Sequence, residues 1–458
     1  MEKSRRTFIK KAALGTTGIA LGTSALGMSA KSYASVIGAN DRINLSVIGI
    51  RGQGMHHLRI WAGMAKTHNV RVKTLCDVDE NLFAERVDEI QKLQGAKPGT
   101  QVDVRRLLED KELDFVSIAS PNHWHALGAI WAVQAGKDVY VEKPTSHNVF
   151  EGRKLVEAAR KYNRIVQAGF QNRSIANVRK AMAFLHSGGI GEVYMARGLC
   201  FKPRDSFGSA PDGTPPPGLH YDLWLGPAPM RPYNEKRLHY NWHWHWDTGN
   251  GDIGNQGPHQ FDIARWGIQK NEHPVKISSS GAYYKFKDCS QETPNTQSAV
   301  YEYADGKILQ FEVRGLYTGA EAGLGVQIGN LFYGTEGWME IDGGTWRTFM
   351  GRNNEPGPSS ESADTSSDAM PGYLAAPGGG GHYENFLTAV RSRKREDLTC
   401  DVEEGHMSTV LPLLANISYR TGRMLTFDGK REKFVGDPAA DWMLTRLYRE
   451  PYVVRDQI

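Results

Sequence analysis

The sequence predicts an α/β protein in two parts: a doubly wound parallel sheet, then a second α/β domain whose sheet is mainly antiparallel. Three observations carry this. Ile43–Ile50 is an apolar run of the buried-strand type, and it ends in a glycine-rich turn, Gly49-Ile50-Arg51-Gly52-Gln53-Gly54, ahead of a helical stretch. Apolar strands and amphipathic helices then alternate to about residue 170, the pattern of a parallel sheet covered on both faces. From Lys276 to Asp342 the period changes to two, as in Ala299–Tyr303 and Ile308–Val313, which reads as antiparallel strands. With 458 residues, 40% of them hydrophobic, the chain can fill two cores.

The first 34 residues read as a targeting segment. Ser4-Arg5-Arg6-Thr7-Phe8-Ile9-Lys10 resembles the twin-arginine export signal, a weakly apolar stretch runs from Ala12 to Ala30, and Ser32-Tyr33-Ala34 offers small residues to a signal peptidase. The expectation is export by the twin-arginine machinery to the periplasm or an equivalent compartment, with cleavage. That route carries folded proteins, so a bound cofactor can travel with the chain. The Gly and Thr content makes this stretch a poor anchor, and no later segment approaches a membrane span. The formal charge of +4 comes from the same segment, where Lys3, Arg5, Arg6, Lys10, Lys11 and Lys31 face only Glu2. The rest of the chain is near neutral, which disfavours a nucleic-acid partner. Cys76, Cys200, Cys289 and Cys400 are scattered without a CxxC pair, and Cys76 sits in an apolar strand as a buried free thiol would.

Residues 40–170 form the first domain. Val70–Val78 is its second strand and ends at Asp77, 28 positions past Gly49. A carboxylate there accepts hydrogen bonds from an adenosine ribose and repels a 2′-phosphate, which favours NAD over NADP. The glycines let the backbone approach a pyrophosphate seated on the N-terminus of a helix from about Met55 to Ala65. Asp114–Ser120 leads to Pro121-Asn122-His123-Trp124-His125 and a helix to about Ala135. Asp138–Val141 leads to Glu142-Lys143-Pro144 and a helix from about Val149 to Tyr162, and Arg164–Phe170 is the last strand. Ligands of such sheets bind at the strands' carboxyl ends. The cofactor candidates are therefore Gly49, Arg51, Gly52, Gln53, Gly54, Asp77, Pro121, Asn122, His125, Glu142 and Lys143. A phosphate-cradling turn with a lysine at a strand's carboxyl edge is the layout of a nicotinamide-dependent oxidoreductase.

Residues 171–440 form the second domain, and 441–458 a C-terminal tail. A proline-rich loop, Phe201–Gly218, precedes the dense run Asn241-Trp242-His243-Trp244-His245-Trp246-Asp247. His243 and His245 alternate with tryptophans, but no third ligand with suitable spacing stands nearby, so a metal is not expected. Tryptophan faces stack on the apolar faces of sugar rings, and the run reads as aromatic walls for a carbohydrate. His259, Asp262 and Trp266, three and four apart, share one helix face. The substrate candidates are Gln171, Arg173, Trp242, His243, Trp244, Asn255 and His259. Asn353–Gly381 is rich in Ser, Gly and Pro and reads as a long loop or flap, while His382–Arg391 and Val402–Tyr419 are helical and expected to pack against the first domain.

The GxxGxG turn, Pro121-Asn122-x-x-His125, Glu142-Lys143-Pro144, the Gly257-x-His259-x-x-Asp262-x-x-x-Trp266 helix and His382-x-x-Asn385-Phe386 occur in one order. In this they resemble the glucose–fructose oxidoreductase / inositol dehydrogenase (Gfo/Idh/MocA) family across nearly the whole mature chain. The resemblance implies a Rossmann domain plus an α/β domain with an open sheet often used for oligomerisation, hence a homo-oligomer. It implies NAD as cofactor, a carbohydrate substrate, Lys143 near both the nicotinamide and the reacting hydroxyl, and His259 as acid/base. One position departs: many dehydrogenases of the family carry Asp four residues before that histidine, and here it is Asn255, which orients a hydroxyl but takes no proton. Asp252 stands three residues away as a substitute carboxylate. The leading expectation is an exported NAD-dependent oxidoreductase acting on a sugar or glycoside hydroxyl, catalysed by Lys143 and His259 with Asn255. The alternative is a redox-neutral NAD-dependent glycosidase or lyase working through a transient 3-keto intermediate. A third is a non-catalytic sugar-binding or cofactor-sensing protein.

Overall fold

In the computed structural model, which describes residues 41–319, 324–361 and 380–458, the chain from Ile43 onward builds two sheets. The expected export segment, residues 1–34, and most of the expected flap, residues 362–379, lie outside the described residues.

The first sheet is wholly parallel. Its elements are β1 (Ile43–Ile48), α1 (Gly52–Gly63), β2 (Val70–Cys76), α2 (Phe83–Gln94), β3 (Gly99–Gln101), α3 (Val104–Leu108), β4 (Phe115–Ile118), α4 (Asn122–Gln134), β5 (Asp138–Glu142), α5 (Val149–Lys161) and β6 (Val166–Gly169). The strand order is β3-β2-β1-β4-β5-β6. Consecutive strands step outward from β1 in one direction and from β4 in the other, so a crevice opens at the carboxyl ends of β1 and β4. β4, β5 and β6 are buried at every position, because helices cover both faces. β1 stops two residues earlier than its apolar run suggests. Gly49 there takes a left-handed φ of +79°, and a Cβ at that position would lie 2.6 Å from the Ser120 nitrogen.

The second sheet has ten strands. Its chain order is α6 (Ala176–His186), β7 (Val193–Phe201), α7 (Tyr221–Leu225), α8 (Gly251–Asn255), α9 (Gly257–Gly267), β8 (Lys276–Ala282), β9 (Thr296–Glu302), β10 (Ile308–Arg314), β11 (Ile328–Gly334), β12 (Gly337–Asp342), β13 (Thr345–Met350), β14 (Glu355–Ser359), α10 (Gly380–Ser392), α11 (Val402–Thr421), β15 (Leu425–Asp428) and β16 (Lys433–Phe434). The order is β14-β13-β12-β11-β7-β10-β9-β8-β15-β16. β7 runs parallel to β10 and antiparallel to β11. β10 alternates half-buried and buried along its length, the period-two pattern that identified it. One core joins Phe261 and Ile263 of α9, Val410 and Leu414 of α11, and Phe311 and Phe332 of the sheet.

Two segments tie the halves together. Tyr383 and Phe386 of α10 pack with Trp61, Phe115 and Tyr140 of the first domain, as the helical reading of His382–Arg391 anticipates. The C-terminal tail returns to the first domain, where Tyr452 and Val454 join Val104, Ile130 and Val133. The four cysteines are free, and three of them are buried. Among the described residues no helix is long and apolar enough to cross a membrane.

Candidate active site

A cavity of about 950 Å³ lies at the carboxyl ends of β1, β4 and β5 and is closed from the other side by the segment around Leu219–His243 and by α8 and α9. That volume lies within the range of small-molecule and cofactor sites. Its wall includes Gly49, Arg51, Gly52, Gln53, Asp77, Pro121, Asn122, His125, Glu142, Lys143, Gln171, Tyr240, Trp242, His243, Asn255 and His259. Most of the residues chosen from the sequence thus meet in one place.

The glycine turn is built for a close ligand. A Cβ at Gly54 would sit 1.6 Å from the Gly49 carbonyl oxygen, whereas a Cβ at Gly52 meets nothing within 4 Å. Gly54 is therefore demanded by the turn itself, and Gly52 borders open space. No side chain caps α1, so the N–H groups of its first turn face that space, as an anion requires. Asp77 ends β2 in the cavity wall. Its Oδ2 accepts from Ile50 N at 2.8 Å and its Oδ1 from Asp79 N at 2.9 Å. Burial pushes this carboxyl up to about 6, although both N–H bonds oppose the shift. Asn122 adds a buried Nδ2 with no partner at the start of α4. Open glycine, uncapped helix, carboxylate and orphan amide are a donor and acceptor set that fits a dinucleotide.

Glu142 is the hub at the base of the cavity. Its Oε1 accepts from Gln53 Nε2 (3.2 Å), His57 Nε2 (3.0 Å) and Gln171 Nε2 (3.0 Å), and its Oε2 from Lys143 N (3.2 Å). Burial alone would raise its pKa, but the His57 hydrogen bond and the Lys143 charge hold it well below the usual carboxylate range. Behind it, Trp61 Nε1 donates to Ser117 Oγ at 3.0 Å, and that hydroxyl lies 2.9 Å from His57 Nδ1. This chain assigns the His57 proton to Nε2, facing Glu142. With so many donors already on it, Glu142 positions its neighbours.

Lys143 leaves β5 and crosses to the second domain, where its Nζ donates to the Asn255 carbonyl oxygen at 2.9 Å. Burial lowers its pKa, and the Glu142 carboxylate works against that. His259 stands in the first turn of α9, which Pro258 starts with its preset φ. Its Nδ1 is buried without a partner, and burial beside Lys143 brings its pKa down to about 4, so the ring is neutral at pH 7. Tyr240, which the sequence reading passed over, presents an exposed ring to the same cavity, and its hydroxyl accepts from Asn255 Nδ2 at 3.4 Å. Trp242 and His243 both line the cavity and stack on each other with ring centroids 3.5 Å apart.

Several sequence expectations are corrected. Arg173 does not reach the cavity wall: it is buried, with Nε 2.8 Å from Asp262 Oδ2 and Nη2 3.1 Å from Glu404 Oε2. Trp244 is buried beneath the Arg204 guanidinium, 5.0 Å from its ring centre, and lines no part of the cavity. His125 borders the cavity with its ring nitrogens 2.6 Å from the Pro144 carbonyl oxygen and 2.7 Å from that of Ser120; burial lowers its pKa, and the neutral ring donates to one of the two. Asp252 cannot replace the missing carboxylate, because Arg204 Nε holds both of its oxygens at 2.9 Å. Asn353–Gly381 is also not all loop, since β14 begins within it as an edge strand.

The Gfo/Idh/MocA model described as the oxidoreductase family's NAD-binding Rossmann fold matches residues 43–170, and that of its C-terminal α/β domain matches 209–321 and 372–454. A glycosyl hydrolase family 109 protein from Shewanella baltica is 31% identical over 170 residues, and an α-N-acetylgalactosaminidase from Shewanella oneidensis is 29% identical over 170 residues. Each of these matches spans 34% of this chain and only 36% of the relative's own length. The WlbA dehydrogenase from Bordetella pertussis, crystallised with NADH and UDP-GlcNAcA, superimposes with a TM-score of 0.60. The superposition covers 84% of this chain and 99% of that one at 19% identity, a likeness of fold.

Proposed function

The chain belongs to the Gfo/Idh/MocA oxidoreductase family, with its NAD-binding Rossmann domain, and from that premise we propose that it oxidises a hydroxyl of a sugar or glycoside. The observation that carries this reading is the bond from Lys143 Nζ to the Asn255 carbonyl, which brings the lysine and the α9 histidine to one wall of the dinucleotide-sized cavity. The Gly49–Gly54 turn would hold the pyrophosphate and Asp77 the adenosine ribose. When bound, the cofactor supplies a hydride acceptor. The chain's own residues do the rest. The Lys143 ammonium stabilises the alkoxide that develops as the hydroxyl proton leaves, and the neutral His259 ring orients that hydroxyl. Trp242 and His243 supply the stacking face for the sugar ring.

A redox-neutral cleavage through a 3-keto sugar is the second reading, favoured by the similarity to glycosyl hydrolase family 109 proteins over the 170 matched residues. In it, oxidation at C3 acidifies C2 and elimination breaks the glycosidic bond, with the cofactor recycled. Mass spectrometry of the purified protein, followed by incubation with a panel of glycosides, separates the readings. Keto sugars support oxidation, cleaved glycosides support elimination, and a protein without dinucleotide or turnover sinks both. Lys143→Ala and His259→Ala should each lower turnover by ~10²-fold or more. His259→Ala should keep its cofactor, because that residue belongs to the second domain. We further propose twin-arginine export with cleavage after Ala34, which N-terminal sequencing of protein recovered from the periplasm tests.

A further inference from the structure

We propose that Tyr240 is the catalytic proton acceptor of this site, taking the place of the carboxylate that Asn255 replaces; this rests on the oxidoreductase reading above. The need for such a group follows from the other two candidates. A base whose conjugate acid titrates near 4 is poorly matched to a sugar hydroxyl, and His259 is such a base. Lys143 is held as a donor to a carbonyl, the role of a cation and not of a proton sink. Asp252 is locked to Arg204.

Tyr240 has the placement that these groups lack. It lines the cavity with Lys143, Asn255 and His259, and its ring is exposed to that space. One residue, Asn255, holds the Tyr240 hydroxyl through its side chain and Lys143 Nζ through its main chain. The ring rests on His243 at 4.6 Å and on Trp244 at 5.4 Å. The Arg204 guanidinium stands 5.9 Å from its centre. The preceding residue, His239, which also lines the cavity, takes a left-handed φ of +62°, a conformation that side chains rarely adopt. Three cations act on the phenol: Arg204 and Lys202 on the segment after β7, and Lys143 at the end of β5; the Asp252 carboxylate nearby is itself paired with Arg204. Burial pushes the phenol's pKa up, but the Asn255 hydrogen bond and these cations outweigh it and leave it below the ordinary tyrosine value.

The step balances. The substrate O–H bond breaks and its proton passes to the Tyr240 phenolate oxygen. The oxygen's electron pair forms the C=O bond while the carbon's hydrogen departs with its pair to the oxidised nicotinamide, leaving a neutral phenol. Lys143 stabilises the negative charge as it forms.

Tyr240→Phe tests this in the intact holoenzyme. The expected result is a fall in kcat of ~10²-fold with cofactor affinity unchanged. The rise of kcat/KM with pH expected of wild type below the ordinary tyrosine pKa should be absent from this variant. In the double variant Tyr240→Phe/Asn255→Asp, the new carboxylate should restore at least ~10-fold of the lost rate at neutral pH. Independently of turnover, the ultraviolet difference titration of tyrosinate, wild type minus variant, should show one tyrosine ionising below its ordinary value. Tyr240→Phe with kcat within ~3-fold of wild type and the same pH profile overturns the proposal while Lys143→Ala remains dead. If Lys143→Ala and His259→Ala are also fully active, the oxidoreductase reading itself falls.

Discussion

The two glycines at the head of α1 should fail in opposite ways when each becomes alanine. A Cβ at Gly54 lies 1.6 Å from the Gly49 oxygen, and ordinary contact begins near 3.4 Å, so the turn must open by more than an ångström. The obstacle is backbone, and Gly49 is itself pinned by its N–H bond to Cys76 O at 2.8 Å and by its contact with Ser120. Gly54→Ala should therefore destabilise the cofactor-free protein by several kcal/mol, the scale of a buried overlap. Gly52→Ala meets nothing within 4 Å and sits in the first turn of a helix, where alanine is favourable by up to ~1 kcal/mol. Its stability without cofactor should be unchanged or slightly raised. If the open space above Gly52 is where the pyrophosphate lies, however, the methyl displaces it from the helix N–H groups. Losing one charge-assisted hydrogen bond, about 1.5–3 kcal/mol, weakens NAD binding by roughly 10- to 100-fold. Urea unfolding of the stripped protein and NAD titration by tryptophan fluorescence read the two effects separately. Wild-type NAD affinity in Gly52→Ala would place the phosphates elsewhere, and a normally stable Gly54→Ala would contradict the turn itself.

Asp77 gives NAD binding a pH dependence. With its folded-state carboxyl pushed up to about 6, the ionised acceptor for the ribose is lost as pH falls through that value, so the Kd for NAD should rise on the acid side and flatten in Asp77→Asn. Asp77→Ser should relax the preference for NAD over NADP; a variant that retains the wild-type preference removes the ribose assignment. Arg173→Ala should cost about 3–5 kcal/mol of stability, because it strands the buried Asp262 carboxylate, whereas Arg173→Met with Asp262→Leu should recover much of that loss in urea unfolding. An Arg173→Ala protein of normal stability and raised KM would return Arg173 to the substrate site.

What was legible in the sequence was what period and turn chemistry encode. The parallel strands read directly as apolar runs because both of their faces are buried, and the GxxGxG turn, Glu142-Lys143 and His259 all lie at element ends that those runs define. β3 was missed, since Gly99-Thr100-Gln101 carries no hydrophobic signal and is a strand only because β2 offers it an edge. β14 was missed for the reason that makes it an edge: Pro356 and Pro358 cannot donate to a ladder. Arg173 was misplaced because an arginine two residues past Gln171 reads as a cleft residue, and only the tertiary fold shows that Asp262, 89 positions on, faces it. His57 stood inside an amphipathic helix with nothing local to link it to Glu142, 85 positions away. Tyr240 sits in an irregular segment, where no period marks a side chain as facing in or out. A left-handed residue before it is visible only in coordinates.

Asn255 looks different once the two bonds it makes are separated. In the sequence, an amide in place of the family's carboxylate reads as a lost base. In the structure, Lys143 is tethered to the main-chain oxygen of residue 255, so the lysine's position does not depend on the side chain there. The side chain is thereby free to take a second task without disturbing the first, and here it donates to the Tyr240 oxygen. A carboxylate at this place could not donate. It would put a negative charge beside the phenol and disfavour the anionic form that Asn255, Arg204 and Lys202 favour. The amide and the tyrosine are in this sense one device: the group that gives up being a base is the group that holds another one ready. On that argument residue 255 tunes which atom receives the proton, while the cation that stabilises the alkoxide stays where the backbone put it.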